Sequence, residues 1–365
     1  MKGQKTITHV VGARPNYMKI APVMDALRGE PRIRQVLVNT GQHYDDAMAG
    51  GFLTELQLPT PDHDLGVGSA THAVQTAKVM MAFEEICLAD RPDLVVVVGD
   101  VNSTLAASLV AAKLVIPIAH VEAGLRSRDK HMPEEVNRIV TDRLADVLLT
   151  PSRDADVNLR AEGTPAERIH FVGNVMIDTL HRHLPIARLE RIRDRLPIVD
   201  APYAVLTLHR PSNVDHRGTF ASILAALQQV SAKMPVVFPV HPRTRNRLRE
   251  LGLEGELRGV ILTEPLGYVD FLALTSHASL ILTDSGGLQE EATALGIPCL
   301  TLRENTERPV TVTDGTNRVV GTKTGNIVAG VERALASTAP KRIPELWDGH
   351  AAGRIAAVLT GFLFA

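Results

Sequence analysis

Residues 283–296, TDSGGLQEEATALG, constrain the fold most, because they read as a strand end, a tight turn and a helix start. The apolar run 280–282 before them is typical of a short, buried parallel strand. Gly286 and Gly287 let backbone N–H groups approach a ligand, and the following helix points its positive dipole end at the same place. The turn is therefore predicted to hold an anion such as a diphosphate. The alternative interpretation is an ordinary strand-to-helix turn with Ser285 as N-cap.

Two carboxylates lie just after this turn, at Glu290 and Glu291. The helix dipole stabilises negative charge there, but a carboxylate repels a phosphate. One of the two is therefore predicted to face hydroxyl groups instead. A ribose diol is the natural candidate, because one carboxylate accepts hydrogen bonds from both hydroxyls.

The bulk composition describes a soluble globular protein and excludes some partners. A chain of 365 residues is longer than one hydrophobic core usually grows, which predicts two domains. The formal net charge of -2 offers no basic excess to neutralise a nucleic-acid backbone. No apolar run approaches the roughly 20 residues that span a bilayer, so no membrane partner is expected. No signal peptide is apparent, and Cys87 and Cys299 are predicted to be buried free thiols, which together predict a cytoplasmic protein.

Polar, ligand-type residues follow the predicted strands of the first half of the chain. In chain order they are Arg14 and Lys19, Gln42 and His43, Asp100, and Glu122 with Arg126. Glu134 belongs to a further polar segment that opens a predicted helix. Because parallel strands end at one edge of an open α/β sheet, these side chains are predicted to meet at a ligand site.

The second half repeats the alternation of strands and helices. Its strand ends carry His209, His241, the 283–287 turn and, further on, Arg308. The sequence thus predicts two successive β/α halves, with a cleft between them as the default site.

Metal and dinucleotide cofactors are not predicted. The chain has no HExxH motif and no close spacing of His and Asp ligands, and Arg14 with Lys19 would neutralise phosphate without a metal. No GxGxxG follows a predicted strand, so a nicotinamide cofactor is not supported.

Seven motifs together resemble the UDP-N-acetylglucosamine 2-epimerase family, non-hydrolysing bacterial type. They are GARPNYMKIAP at 12–22, GQHYD at 41–45, GD at 99–100, HVEAGLR at 120–126, PEEVNR at 133–138, DSGGLQEEA at 284–292 and TERP at 306–309. The resemblance implies an isomerase with two Rossmann-like β/α/β domains facing across a cleft, as in GT-B glycosyltransferases. It also implies a homodimer. The expected domains are 1–173 with the catalytic carboxylates, 174–345 with the UDP site, and a helix at 346–365 that returns to the first domain.

The resemblance also implies the reaction and the residues that perform it. The family inverts C2 of a UDP-linked 2-acetamido sugar by anti elimination of UDP to a 2-acetamidoglucal and re-addition of UDP. Four positions match its catalytic residues, namely Asp100, Glu122, Glu134 and His209. The positions that match or adjoin its UDP-sugar contacts are Arg14, Lys19, Gln42, His43, Arg126, His241, Ser285, Gly286, Gly287, Glu291 and Arg308. Which acid serves which face of the sugar stays open.

Departures from the family pattern leave the substrate open. Ala13 and Asn16 replace the usual Thr and Glu of the first motif, and the segment between Glu122 and Pro133 is about two residues short. A 2,3-diacetamido uronate is one alternative sugar, and a basic residue for it would come from Arg126, Arg128, Lys130 or Arg210. A hydrolysing 2-epimerase is a further candidate, and a GT-B glycosyltransferase is a candidate from a different class. A second UDP-sugar site involving Gln42, Gln75 and His241 also stays open.

Overall fold

The computed structural model describes residues 3–41, 56, 58–193, 196, 201–337 and 342–365, and divides into two compact units. The first unit is Met1–Thr179 with Glu345–Ala365, and the second unit is Leu180–Pro344. The chain passes from one to the other inside the helix Val175–His183, a few residues beyond the expected change of domain at Gly173.

The first unit is built on a parallel sheet of seven strands. They are β1 Lys5–Val11, β2 Ile33–Asn39, β3 His63–Asp64, β4 Leu94–Val98, β5 Ile118–Val121, β6 Val147–Thr150 and β7 Ile169–Phe171. Their order in the sheet is β3-β2-β1-β4-β5-β6-β7. The chain winds outward one way from β1 and the other way from β4, so the strand order reverses between these two strands. In sheets of this kind, ligands bind at the carboxyl ends of the strands beside that reversal.

Helices connect these strands and cover both faces of the sheet. They are α1 Arg14–Leu27, α2 His72–Ala89, α3 Asn102–Lys113, α4 Pro133–Leu144, α5 Arg153–Ala161 and α6 Val175–His183, with a 3-10 turn at Ala166–Arg168. The coverage explains why β4, sequence LVVVV, is apolar at every position and has no exposed residue.

The second unit repeats this plan with six parallel strands. They are β8 Ala204–Thr207, β9 Val236–Pro239, β10 Val260–Thr263, β11 Leu280–Thr283, β12 Cys299–Thr301 and β13 Asn317–Val319, in the order β10-β9-β8-β11-β12-β13. The reversal lies between β8 and β11, which pair from Leu280 opposite Ala204 to Thr283 opposite Thr207. The turn at 283–287 thus leaves the sheet at its switch point.

The helices of the second unit complete its layers. They are α7 Glu190–Arg193, α8 Pro211–Val214, α9 Arg217–Ser231, α10 Pro242–Glu250, α11 Tyr268–Ser276, α12 Gly286–Ala294, α13 Val310–Thr313 and α14 Thr324–Leu335, with 3-10 turns at Leu184–Ile186 and Glu254–Leu257. Phe220 of α9 and Phe238 of β9 lie in the core and are fully buried.

The last helix, α15 Ala351–Phe364, belongs to the first unit and packs beside α1. Asp178 of α6 accepts hydrogen bonds from the backbone N–H groups of Ala351 and Ala352, which satisfies two of the free donors at the start of α15. The buried Trp347 indole donates to the Pro151 carbonyl at 3.0 Å. Two α/β units with parallel sheets and a C-terminal helix that returns to the first are the fold class that the sequence predicted.

Candidate active site

A buried ion pair lies at the switch point of the first sheet, between Lys19 of α1 and Glu122 after β5. Lys19 is 6 % exposed and Glu122 is 6 % exposed. Removing two charges from water is costly, and a protein keeps such a pair when geometry or function requires it. These two residues, expected to contact phosphate and to move a proton, are therefore direct neighbours.

The backbone at Glu122 is strained. Its φ of 73° is in the left-handed region, which non-glycine residues rarely adopt and which is frequent at functional sites. Gly99, on the neighbouring strand end, has a φ of 67°. A Cβ at Gly99 would lie 3.3 Å from Glu122 Oε2 and 3.4 Å from Lys19 Nζ, so glycine keeps room for the pair.

Asn16 joins the ends of β1 and β4. Its Oδ1 accepts hydrogen bonds from the N–H groups of Gly12 and Ala13, and its Nδ2 donates to the Val98 carbonyl at 2.9 Å. Asn16 is 2 % exposed and supports the turn beneath Lys19.

Asp100, the next predicted acid, is held by Arg138 of α4. Arg138 Nε and Nη2 both donate to Asp100 Oδ2, at 2.9 and 2.6 Å, and Asn137 Nδ2 donates to the Asp100 carbonyl at 2.8 Å. The Asp100 side chain keeps 23 % of its surface exposed. The carboxylate is thus oriented and remains accessible.

Two adjacent glutamates at the start of α4 have different environments. Glu134, the predicted catalytic residue, is partly exposed in the first helical turn. Glu135 is buried and accepts from the N–H groups of Ser127 and Arg128 at 2.8 and 2.9 Å. Burial alone would raise the pKa of Glu135, but these donors and Arg138 hold it below its usual value. Glu135 therefore fixes the short 127–132 segment, and Glu134 remains the one available for a ligand.

Arg126, predicted as a ligand residue, is buried in an ion network. Its guanidinium donates to Asp142 Oδ2 at 2.7 Å and bidentately to Glu162 at 2.8 and 2.7 Å. Asp142 also pairs with His120 Nδ1 at 2.6 Å, and His120 Nε2 lies 2.8 Å from the Gly99 carbonyl. The sequence did not predict this Arg126–Asp142–His120 network, which ties the loop after β5 to the loop after β4.

Other candidate residues of the first half are Arg14, Gln42, His43 and Gln75. Arg14 is exposed at the start of α1. Gln42 and His43 lie outside the described residues. Gln75 is buried and donates to the Gly68 carbonyl at 2.9 Å, while its Oε1 accepts from Asn102 at 2.8 Å.

At the switch point of the second sheet, His209 and Asp284 form a pair. His209 Nδ1 lies 2.9 Å from Asp284 Oδ1. The fully buried carboxylate also accepts from the N–H groups of His209 and Arg210, at 3.0 and 2.9 Å from Oδ2, and from Asn213 at 3.2 Å. Burial raises the pKa of Asp284, but His209 and these N–H groups outweigh it, so the net pKa is lowered. The imidazole is half exposed, so an oriented His209 is available to a ligand.

The predicted anion turn has the expected strand–turn–helix form, and its helix begins at Gly286. Ser285 is the N-cap, and its Oγ accepts from Leu288 N at 3.5 Å, as the alternative interpretation held. A Cβ at Gly287 would meet nothing within 4 Å, so this backbone borders open space. His241, at the end of β9, caps α10 by accepting from Arg243 N at 3.2 Å and is exposed.

Two buried carboxylates follow in α12. Glu290 pairs with Arg308 Nε at 2.7 Å, so the predicted phosphate contact Arg308 already has an anionic partner. Glu291, the predicted ribose ligand, accepts from the Tyr268 hydroxyl at 3.1 Å. The pKa of Glu291 is raised to about 7, because burial and the charge of Glu290 raise it more than the Tyr268 hydrogen bond lowers it.

Other features narrow the chemistry. Within the described ranges, no three His, Cys, Asp or Glu side chains cluster as metal ligands. Among the same residues, no helix combines the length and the apolar character that crossing a membrane requires. Cys87 and Cys299 are both free and buried, as the sequence predicted.

Two doubly wound units, one with acids and a lysine at its switch point and one with a glycine turn and an oriented histidine, are the arrangement that the sequence resemblance implied for a nucleotide-sugar enzyme. The chain belongs to the UDP-N-acetylglucosamine 2-epimerase family, whose sequence profile matches residues 25–360.

Curated relatives and solved structures agree with this membership. A UDP-N-acetylglucosamine 2-epimerase of Methanocaldococcus jannaschii is 41% identical over 96% of this chain and 98% of its own length. A UDP-2,3-diacetamido-2,3-dideoxy-D-glucuronate 2-epimerase of Pseudomonas aeruginosa is 39% identical over 97% of this chain and 99% of its own length. The crystal structure of the M. jannaschii UDP-GlcNAc 2-epimerase in complex with UDP-GlcNAc and UDP has a TM-score of 0.90 and 41% identity, covering 98% of this chain and 99% of that one.

Proposed function

We propose that this chain is an isomerase that reversibly converts UDP-N-acetylglucosamine to UDP-N-acetylmannosamine, without a metal or other cofactor. The observation that carries the proposal is the cluster of Lys19, Glu122 and Asp100 at the carboxyl edge of the first sheet. C2 of the sugar has no adjacent carbonyl, so direct deprotonation would give an unstabilised carbanion. The family's route avoids it: a base takes the C2 proton as the C1–O bond to UDP breaks, giving the 2-acetamidoglucal.

The first unit supplies the proton-transfer groups of this scheme. Asp100, Glu122 and Glu134 are the acids and bases for the two faces of C2, because re-addition of UDP delivers a proton to the face opposite the one deprotonated. The Lys19 ammonium stabilises negative charge on Glu122 and on the departing diphosphate. Arg138 holds Asp100 in a fixed orientation for its step.

The second unit binds the nucleotide. The Ser285 hydroxyl and the N–H groups of Gly286 and Gly287 at the start of α12 donate hydrogen bonds to the diphosphate, with Arg14, His241 and Arg308 as further contacts. Glu291 accepts the ribose hydroxyls. His209, oriented by Asp284, protonates or polarises the leaving oxygen. A firm hold on UDP after C1–O cleavage matters, because loss of the glucal would turn an epimerase into a hydrolase.

Proton NMR in deuterium oxide tests the proposal. With UDP-N-acetylglucosamine as substrate, we expect the anomeric signal of UDP-N-acetylmannosamine to appear with deuterium at C2. Release of free N-acetylmannosamine and UDP would identify a hydrolysing enzyme instead. An unchanged spectrum, with no exchange at C2, would contradict the proposed substrate.

A 2,3-diacetamido uronate is the second candidate substrate, since a relative at 39% identity carries that name. A carboxylate on the sugar needs a cation. Arg126 is paired with Asp142 and Glu162, and Arg210 is paired with Glu307. These two candidate cations are neutralised by carboxylates of the chain itself, which leaves Arg128, bonded to the neutral Asn158, and the exposed Lys130 as the cations for a uronate. Presenting the uronate in the same NMR experiment separates the two substrates.

We further propose that the enzyme is a homodimer in which α2, α3 and α4 form the contact. These helices lie side by side in the first unit. Val74, Met81 and Leu88 recur every seven residues of α2 and are 46%, 70% and 68% exposed. Val136 and Ile139 of α4 are 49% and 44% exposed. An apolar stripe of this size on a globular domain is typical of a protein contact, and a second copy of the chain is the proposed occupant.

Replacing Met81 by lysine is expected to convert the dimer to a monomer. A buried lysine without a partner on the two-fold interface costs several kcal/mol, enough to dissociate a moderate dimer. Light scattering during gel filtration measures the mass. Val157→Lys is the matched control, because Val157 is 63% exposed and helical but lies in α5, outside the proposed contact. A wild-type monomer, or a Met81→Lys dimer, would contradict the proposed contact.

The cytoplasm is the proposed location. Two buried free thiols and no disulfide between them suit a reducing compartment. UDP-sugars as substrates support the same placement.

A further inference from the structure

Tyr268 contacts the carboxylate that the proposed function assigns to the ribose. Its hydroxyl donates to Glu291 Oε1 at 3.1 Å. Tyr268 is 7 % exposed and Glu291 is 5 % exposed. The His183 ring packs edge-on against the tyrosine, with ring centroids 5.5 Å apart and an interplanar angle of 79°. The phenol is therefore held on one side by an aromatic contact and on the other by the carboxylate.

We propose that Tyr268 is a positioning residue that orients Glu291 and thereby sets the preference for ribonucleotides over deoxyribonucleotides. This inference rests on the proposed function. A carboxylate has about four lone-pair directions, and the phenol occupies one on Oε1. The other oxygen is then fixed in direction for a ligand. A carboxylate free to rotate would accept the two ribose hydroxyls in fewer of its orientations.

The groups around Glu291 make the proposed discrimination for ribose depend on pH. Those that face it are the Tyr268 hydroxyl, Glu290 with its partner Arg308, and, behind the phenol, His183. Burial and the charge of Glu290 raise the pKa of Glu291 to about 7, while the tyrosine donation opposes that rise. The ionised carboxylate is the better acceptor for hydroxyls. Discrimination for the ribose should therefore increase as pH rises through about 7, and loss of the phenol should move that midpoint to higher pH.

Calorimetric titration with UDP and with 2′-deoxy-UDP tests the inference. The ratio of the two Kd values is the readout, because ionisation of the phosphate affects both nucleotides equally. At pH 8.5 we expect about tenfold discrimination in the wild type, the size of one hydrogen bond to a charged group. Tyr268→Phe should reduce it to about threefold or less by weakening UDP binding, with a smaller effect on 2′-deoxy-UDP.

Tyr203→Phe is the matched control. Its hydroxyl is also buried and donates to the Leu274 carbonyl of α11 at 2.6 Å, so it supports the helix that begins with Tyr268. A merely structural role for Tyr268 would make both variants alike, lowering Tm without changing the ratio or its pH midpoint. Tyr268→Phe with the wild-type ratio and midpoint, or Tyr203→Phe with an equal loss, overturns the inference.

Different results would overturn the role of Tyr268 and the proposed epimerisation. A wild type that epimerises the sugar but binds both nucleotides equally overturns the role of Tyr268 and leaves the reaction intact. Discrimination that Tyr268→Phe reduces and Tyr203→Phe keeps, in a protein that exchanges no deuterium at C2, supports the role of Tyr268 and rejects the reaction. Glu291→Gln should lose discrimination at every pH, and its failure to do so also overturns the inference.

Discussion

Glu122→Gln is expected to lower kcat by about 10³-fold, within the range of 10²–10⁴ that a positioned general acid or base contributes. Glutamine has nearly the same shape as glutamate but cannot take up a proton. The Kd for UDP should change little, because the proposed nucleotide contacts are mainly in the second unit. Stopped assays with each epimer as substrate measure kcat, and titration with UDP measures binding.

The same variant can show which face of the sugar Glu122 serves. In deuterium oxide, a base that removes the C2 proton of one epimer also returns deuterium to that face when UDP is added back. Glu122→Gln should therefore abolish C2 exchange from one epimer and preserve slow exchange from the other. Wild-type exchange from both epimers would reject Glu122 as a catalytic residue.

Stability has to be separated from catalysis, since Lys19 would lose its buried anionic partner. Breaking a buried pair on one side costs about 3 kcal/mol or more, and the thermal midpoint should fall accordingly. Glu345→Gln is the control, because it removes an exposed glutamate that pairs with Arg153 in the same unit. That control should keep both kcat and Tm close to the wild type.

The sequence predicted the architecture well because its signals are local. Apolar runs such as β4 and the glycines that follow β1 and β11 fix strands and turns without reference to distant residues. Parallel strands must end at one edge, so alternation alone places Lys19, Asp100 and Glu122 together at that edge. The family motifs then predicted which reaction these residues catalyse.

Partners far apart in the chain could not be predicted in the same way. Arg126 matched a ligand position, yet Asp142 and Glu162 occupy its guanidinium. Glu134 and Glu135 are adjacent in sequence, and only the fold shows that Glu135 accepts the N–H groups of the preceding loop. The roles of these residues depend on hydrogen bonds between different segments of the chain, which local sequence patterns do not show.

The pairing of Asp284 with His209 is a contact that the predicted order of the strands could have indicated. In the sequence Asp284 reads as the first residue of a turn. The order of strands in a doubly wound sheet brings the ends of β8 and β11 together, so the acid after β11 meets the histidine after β8. The observed distance of 2.9 Å between His209 Nδ1 and Asp284 Oδ1 follows from that topology.

Replacing Asp284 is therefore expected to have a large effect on kcat. Asp284→Asn should lower kcat by about 10²–10⁴-fold, because an amide in place of the carboxylate no longer fixes the imidazole tautomer or stabilises its protonated form. Asp284 also accepts the backbone N–H groups of His209 and Arg210, so a loss of about 1–3 kcal/mol in the free energy of unfolding should accompany the change.

A double-mutant cycle decides whether the two residues act as a unit. His209→Ala should reduce kcat about as much as His209→Ala combined with Asp284→Asn, since without the imidazole the carboxylate has nothing left to orient. Equal losses in the single His209 variant and the double variant would establish Asp284 as the positioning partner. Fully additive losses would instead mean that Asp284 acts on the substrate, or on the fold of the turn, independently of His209. The kcat of each of the four proteins, with Tm measured alongside, separates these outcomes, because a purely structural Asp284 would change Tm in both backgrounds and leave its effect on kcat additive.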